Sequence, residues 1–443
     1  MIDPIARSNP FPYYSWLKAD PSRRIYHAPH EKSFYVVHNY EDVKEVLTNH
    51  KAFSSNILST SKSPFFALMD GENHRRIRDV VTKIFNLENE NFPKNKIKQQ
   101  IIKCTQQLID KKKAELFTSW ADFIPLSTLC AIYGVEFNNE KIQKFHKLSI
   151  TINQALFVLG GTGPRRSKNP NFLEKIKITL SIIANTNRIW QLHKQLGKNG
   201  LKELKNMFLP KITTDEMPRP DFEKIPAAIS ALLVLMYEFS LLLNDKESKS
   251  HSIQILNNAV DNQDLTRTEA VMVCTFILFA GYETTASLLS NCVVHLAYHP
   301  KEYTLLKKEP ELIDKFIEES LRYYTPVGRF LRKTTEEVII GGKTISAGSI
   351  IIVLLGAANT DANKFKNPYD FQIERDRPQH LSFGKGLHFC IGAPLARYQV
   401  KTALKELIMN SDHLSISNIE NLKMVTDRDN GILRYEQVWI NLS

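Results

Sequence analysis

Polar positions thin out twice along the chain. From Pro226 to Leu243 the only charge is Glu238, and from Ala270 to Tyr282 there is none. The second run is short of the roughly 20 apolar residues a membrane-spanning helix needs. Both runs are predicted to be buried helices. Around them the apolar period predicts helix over most of 70–160 and 172–260, and onward to about Tyr324. Thr266-Arg267-Thr268-Glu269 reads as a capping box. It opens a pattern that runs to about His299, before Pro300, roughly 33 residues or about 50 Å of helix. Ser33 to Val37 is strand-like and Glu41 to Asn49 helical. A strand-rich stretch runs from about Val338 to Leu355. A glycine-rich loop, a helix and a terminal hairpin near 413–442 close the chain. The class is mainly α with small β-sheets.

The 443 residues are 43% hydrophobic and 24% charged, which suits a large globular core. No Pro/Gly/Ser-rich linker, repeat or low-complexity tract divides the sequence, so one domain over 1–443 is expected. The five cysteines (Cys104, Cys130, Cys274, Cys292, Cys390) are widely spaced and form no CxxC, which points to a reducing compartment. The N-terminal Met1 to Arg7 carries neither a signal-peptide core nor a membrane anchor, so a cytoplasmic protein is expected. The net charge of +11 fits a Lys- and Asn-rich soluble chain, or a basic face for an acidic partner. The basic residues are dispersed and form no nucleic-acid module, so no nucleic-acid partner is expected. The Gly-Gly-Thr-Gly within 158–171 lacks the Gly-Lys-Ser/Thr and the strand–loop–helix setting of a phosphate loop.

The run from Leu381 to Arg397 carries the chemistry. Its Phe383-Gly384-Lys385-Gly386-Leu387-His388-Phe389-Cys390-Ile391-Gly392 sets one cysteine among three glycines, just ahead of a helix-forming segment. A metal-ligating thiolate needs a tight loop, backbone N–H donors and a helix N-terminus. A lone cysteine before a helix is otherwise a buried structural residue. The spacing resembles the haem-binding loop of the cytochrome P-450 superfamily, of the soluble bacterial type. The resemblance implies haem b, with Cys390 as the axial ligand of the haem iron, Phe383 shielding the sulfur, and Gly384, Gly392 and His388 completing the cradle.

Four further segments agree with that family. Ala280-Gly281-Tyr282-Glu283-Thr284-Thr285 lies inside the long helix. A glycine and hydroxyls there invite a local distortion, and a carboxylate beside a hydroxyl can relay protons. On its residues alone it is equally a packed glycine with surface-facing polar groups. It resembles the family's acid–alcohol pair, which implies Thr284 as the oxygen-activating hydroxyl, Glu283 as its acidic partner and Ala280 beside the haem. Glu319-Ser320-Leu321-Arg322 could be a surface ion pair. It resembles the family's ExxR element, with Arg375 as the second arginine of a structural network. His74, Arg78, Arg332 and His388 match the positions that hold the haem propionates. Gly356 to Asp361, with Asn367, Pro368 and Phe371, resembles the segment linking the Arg332 strand to Arg375. The resemblance is firm from about 265 to 400, good at 65–90, and fades over 140–260.

The resemblance implies a triangular-prism fold with haem between a long distal helix and the helix of the cysteine loop. It implies a monomeric monooxygenase that inserts one atom of O2 into an organic, apolar, secondary-metabolite-type substrate, by hydroxylation or epoxidation. Oxidative coupling or desaturation on the same haem is the alternative within enzymes, and a non-catalytic haem-thiolate sensor the alternative outside them. Glu283 and Thr284 argue against a sensor, which has no use for a proton relay. No flavin or iron–sulfur pattern is present, so a ferredoxin or flavodoxin with its reductase supplies the electrons. Arg75, Arg76, Lys385, Arg397 and Lys401 are the candidate cations for that partner. Pocket candidates are Phe65, Phe66, Met69, Ile277, Ala280, Val327, Ile432 and Leu433. Arg329, three residues before Arg332, is a candidate for an anionic or strongly polar group of the substrate, with a haem propionate and a protein carboxylate as its alternative partners. A carrier-protein-bound substrate is a further alternative.

Overall fold

The computed structural model describes residues 10–27, 34–57, 65–136, 140, 143–149, 151, 184–208, 225–245, 247–376, 378–417, 422–426 and 432–443. The N-terminal segment 1–7 and the 158–171 loop fall outside the described residues.

The centre of the fold is the helix Arg267–Tyr298. It opens with the capping box read from the sequence: the Thr266 hydroxyl accepts from Glu269 N, and Glu269 Oε2 accepts from Thr266 N at 2.8 Å. Its residues are buried on almost every side, because a helix without a polar face is stable only inside a core. It packs against the helices Phe123–Tyr133, Ile225–Asn244, Ile313–Tyr324 and Ala393–Asn410, and against strand β11 (Leu433–Glu436). Each fully buried Leu, Val or Phe in this core contributes about 1.5–3 kcal/mol. A charge placed at Leu289, which is completely buried, would disrupt it.

A five-stranded sheet lies beside the helical body, in the order β1 (Ile25–His27), β2 (Phe34–Val37), β8 (Ile350–Leu354), β5 (Arg329–Thr334), β3 (Phe53–Ser54). β2 and β8 run parallel and the other pairs antiparallel. Side chains alternate between the two faces of a strand. Phe34, Val36, Ile350, Ile352 and Leu354 therefore cluster with Tyr14 and Leu17 of the helix Pro10–Lys18. Val37, Ile351 and Val353 cluster with Tyr40, Val43 and Leu47 of the helix Tyr40–Thr48. Burial on both faces explains why β8 reads as an unbroken apolar run.

The fold class matches the expectation, and two local readings need correction. Within the stretch read as helical, Lys113–Glu115 is a strand (β4), because it pairs with the C-terminal β12 (Trp439–Leu442). A partner more than 300 residues away leaves no local signal. The strand-rich stretch also begins earlier, at Arg329, and folds through the β6–β7 hairpin (Val338–Ile340, Lys343–Ile345) before β8. The two apolar runs are both helical. Arg267–Tyr298 is mostly buried, whereas the span Ala227–Asn244 is only about one-third buried, so the expectation of a buried helix holds for the first and only in part for the second.

Candidate active site

The cysteine loop is built by its own backbone. Cys390 N donates to Phe383 O at 2.8 Å, and Gly384 N donates to Leu381 O at 2.8 Å. Gly386 adopts φ +74°, and a Cβ there would come within 2.9 Å of Leu47 O, so only glycine lets the loop rest on the helix Tyr40–Thr48. Cys390 as a residue is exposed, yet its sulfur is enclosed enough that burial is the largest influence and raises the thiol pKa. The Gly392 and Ala393 N–H groups and the positive charges of Arg78 and Arg397 act in the opposite sense. A metal cation at the sulfur decides that balance, since coordination deprotonates a thiol outright.

A buried ionic network anchors this loop. Glu319 accepts from Arg322 Nε and Nη2 at 2.8 and 2.7 Å, and from Arg375 Nε at 3.1 Å. The Arg322 side chain is fully buried and also donates to the carbonyls of Asn359, Pro368 and Asp370. Asn359 passes the connection on: its Oδ1 accepts from Leu381 N at 2.7 Å, and its Nδ2 donates to Ser382 Oγ at 2.9 Å. The Glu–Arg motif is therefore wired by hydrogen bonds to the first residues of the cysteine loop.

Four cationic or imidazole groups gather beside it. The His74 and His388 rings meet at a tilt of 41°, with centroids 4.2 Å apart. His74 is 2% exposed, and its Nε2 is buried without a hydrogen-bond partner among the described residues. Burial, helped by His388 and Arg78, pushes the His74 pKa down to about 4. Arg78 Nη2 donates to Phe389 O at 2.7 Å, one residue before the cysteine. Arg332 is 7% exposed, donates to Leu331 O, and among the described residues meets no carboxylate at ion-pair distance. Burial lowers its guanidinium pKa to about 10. Asp70 was missed by the sequence reading. It stands where a helix N-cap would, yet it makes no cap bond. It accepts instead from Ser54 Oγ and Ser55 N and lies 3.7 Å from His388 Nε2. These bonds outweigh burial and hold its pKa below the usual carboxylate range.

On the long helix, Glu283 is 3% exposed and Thr284 half-buried, so this pair is not a solvated surface feature. Thr284 Oγ1 donates to Ala280 O at 3.0 Å. One turn earlier, Phe65 packs on Phe276 and Phe279, and Phe66 on Phe276. Met69 and Ile277 are buried in the same core, with Ala280 against it. Val327 and Ile432 form an isolated bridge. Leu433 O accepts from Ser287 Oγ and Asn291 Nδ2 of the long helix. Phe65 and Phe66 thus meet the long helix near Phe276 and Phe279, and Leu433 meets it near Ser287 and Asn291, with Val327 bridged to Ile432.

Arg329 departs from this pattern. It pairs in register with Leu354, and Arg332 with Ile351. Leu354 belongs to the cluster around Tyr14, Ile351 to the cluster around Tyr40. Arg329 therefore lies on the opposite face of β5 from Arg332, and its charge acts on Tyr13 and Tyr14. An offset of three residues on a strand reverses the face, so Arg329 and Arg332 do not share one side of β5. Phe383 shows a second unforeseen feature, the Arg397 guanidinium 4.6 Å from its ring centroid. Glu318 holds that guanidinium through Nε at 2.6 Å and Nη2 at 2.9 Å.

The residues fit a thiolate-ligated haem: a sulfur met by backbone N–H groups, with a buried imidazole nitrogen and a buried guanidinium available to two carboxylates. The family model described as "Cytochrome P450" matches residues 5–428. Putative cytochrome P450 YjiB of Bacillus subtilis is 26% identical over 421 residues, covering 93% of this chain and 91% of that one. Vitamin D(3) 25-hydroxylase of Pseudonocardia autotrophica is 27% identical, covering 92% and 88%. The crystal structure of P450BioI with hexadec-9Z-enoic acid ligated acyl carrier protein superposes with a TM-score of 0.75 at 23% identity, over 99% of this chain and all of that one. The chain belongs to the cytochrome P450 family and is a monooxygenase of that family.

Proposed function

We propose that this enzyme hydroxylates or epoxidises an apolar organic substrate at a haem b held by Cys390, with electrons from a separate ferredoxin or flavodoxin system. The observation that carries the haem assignment is the buried, unpartnered His74 Nε2 beside His388, Arg78 and Arg332, close to the cysteine loop. Four donors with no carboxylate of their own, Asp70 apart, suit the two propionates of haem. The haem, when bound, supplies the redox chemistry that activates O2. The protein's residues do the rest. Gly392 and Ala393 N–H groups tune the sulfur, and Phe383 with its stacked Arg397 screens it. Glu319, Arg322 and Arg375 hold the loop in place. Thr284 holds a proton at Oγ1, and the buried Glu283 supplies protons to it.

The apolar side chains of Phe65, Phe66, Met69, Ile277, Ala280, Val327, Ile432 and Leu433 would line the substrate cavity. That lining suits a largely hydrocarbon substrate. The likeness to a vitamin D(3) hydroxylase supports the same class. The solved relative bound to an acyl carrier protein keeps a carrier-delivered substrate as the second reading. A cytoplasmic, monomeric enzyme is part of this proposal. The test is the reduced, CO-bound spectrum together with substrate-dependent NADPH consumption and product analysis. A far-red Soret band in the wild type and its loss in Cys390→Ala are expected. The same band in the variant would remove Cys390 as ligand. A normal spectrum with no product from any substrate that shifts it would favour the sensor reading.

A further inference from the structure

Far along the long helix from Glu283 and Thr284, at its C-terminal end, His295, His299 and Glu302 bring their ligand atoms within 4.8 Å of one another. We propose that these three side chains form a site for a divalent transition metal of the zinc class, unrelated to the haem chemistry.

The backbone makes the cluster. His295 and His299 are four residues apart, on one face of the helix. Their rings stack at 4.3 Å between centroids, with planes 28° apart. His299 ends that helix and Pro300 begins the next. His299 O accepts from Glu302 N at 2.9 Å and from Tyr303 N at 3.1 Å. This tight junction brings Glu302 back over the imidazoles. Its Oε2 lies 2.9 Å from His295 Nε2.

Two imidazoles and one carboxylate are a donor set that zinc accepts, leaving a fourth position for water. Ligands bound at about 2.0–2.2 Å lie roughly 3–3.5 Å from each other, close to the His295–Glu302 separation. Only His299 has to move inward. A metal binds in the plane of an imidazole, so the exposed His299 ring would turn out of its stack on His295 to ligate. The outer support is present as well. His295 Nδ1 lies 2.7 Å from Tyr324 Oη, and the ring packs at a tilt on Phe371, centroids 3.8 Å apart. A metal on Nε2 requires the proton on Nδ1, which then donates to the tyrosine oxygen. Such a second partner orients a ligating imidazole and strengthens it. Metal would replace the Nε2–H···Glu302 bond and link the two helices.

The test uses the haem-loaded protein, stripped with a chelator and titrated with Zn2+ by calorimetry, with metal content measured after desalting and Tm followed in parallel. One equivalent per chain, with a rise in Tm, is expected. His299→Ala and Glu302→Gln, each at an accessible side chain, should weaken binding at least about tenfold and abolish the Tm rise. The chain has 13 histidines, so binding elsewhere is the competing outcome. Unchanged affinity in the double variant, or no stoichiometric zinc in the wild type, overturns the proposal.

Discussion

The His74 and His388 rings meet tilted, 4.2 Å between centroids, in a setting that keeps the His74 imidazole neutral. Its pKa falls from 6.5 to about 4, chiefly through burial. The unfolded chain therefore binds more protons between those values, and stability is lost as pH drops from about 6.5 toward 4. At 1.36 kcal/mol per pKa unit the ceiling is about 3 kcal/mol. Urea unfolding of haem-free protein at pH 7 and pH 4.5 should show a loss that His74→Phe reduces. A propionate at Nε2 would stabilise the charged imidazole, so haem-loaded protein should lose less. An equal acid loss with and without haem would separate His74 from the propionates.

The Glu319–Arg322 pair is fully buried, so removing one partner strands a charge. Glu319→Gln should cost about 3–5 kcal/mol. The yield of haem-loaded protein should fall with it, because Asn359 transmits the network to Leu381 and Ser382. Thermal unfolding and the haem-to-protein absorbance ratio measure both. A normal ratio in a destabilised variant would separate the network from the cysteine loop.

Among the described residues Thr284 makes one side-chain bond, to Ala280 O, so Thr284→Ala should change stability by about 1 kcal/mol or less. Loss of the proton-bearing hydroxyl should instead lower product formed per NADPH and raise hydrogen peroxide, while Thr284→Ser restores coupling. Unchanged coupling in the alanine variant would remove Thr284 from proton delivery.

The motifs legible in the sequence were those whose neighbours are close along the chain: the capping box at Thr266, the Glu319–Arg322 spacing, the glycines around Cys390. The resemblance to a known family added Arg375 and the His74 segment, whose partners no local pattern reveals. Contacts that depend on distant chain stayed hidden. Gly386 against Leu47, Asn359 against Leu381, Arg397 over Phe383 and Asp70 beside His388 are examples. The face that Arg329 takes was not legible, because strand parity depends on where pairing begins, and β5 begins at Arg329 itself.

An acidic redox partner would meet fewer cations than the sequence suggests. Arg76 is paired with Glu269, Arg397 with Glu318, and Lys401 with Asp314. Arg75 and Lys385 show no ion pair among the described residues. Salt dependence of the reduction rate should therefore rest on these two, with screening set by a Debye length of about 8 Å at physiological strength. Lys385→Glu should slow reduction at low salt more than Lys401→Glu does. Equal effects, or a rate flat with salt, would count against this face.

Arg329 gives the clearest contrast between sequence and structure. The chain position suggested a guanidinium over the haem, ready for a carboxylate of the substrate. Its register with Leu354 turns it instead toward the N-terminal helix, where its charge opposes the burial that raises the Tyr13 and Tyr14 hydroxyl pKa values. Arg329→Leu should therefore leave the spectral affinity for acidic and neutral ligands in the same ratio. Its cost should appear in stability, by about 1–2 kcal/mol, because a charged partner is removed from a packed face. Limited proteolysis should cut slightly earlier near Pro10–Lys18, where Tyr14 and Leu17 still pack on the sheet but the neighbouring charge is gone. A selective loss of affinity for carboxylate ligands, with Tm and proteolysis unchanged, would return Arg329 to the substrate cavity.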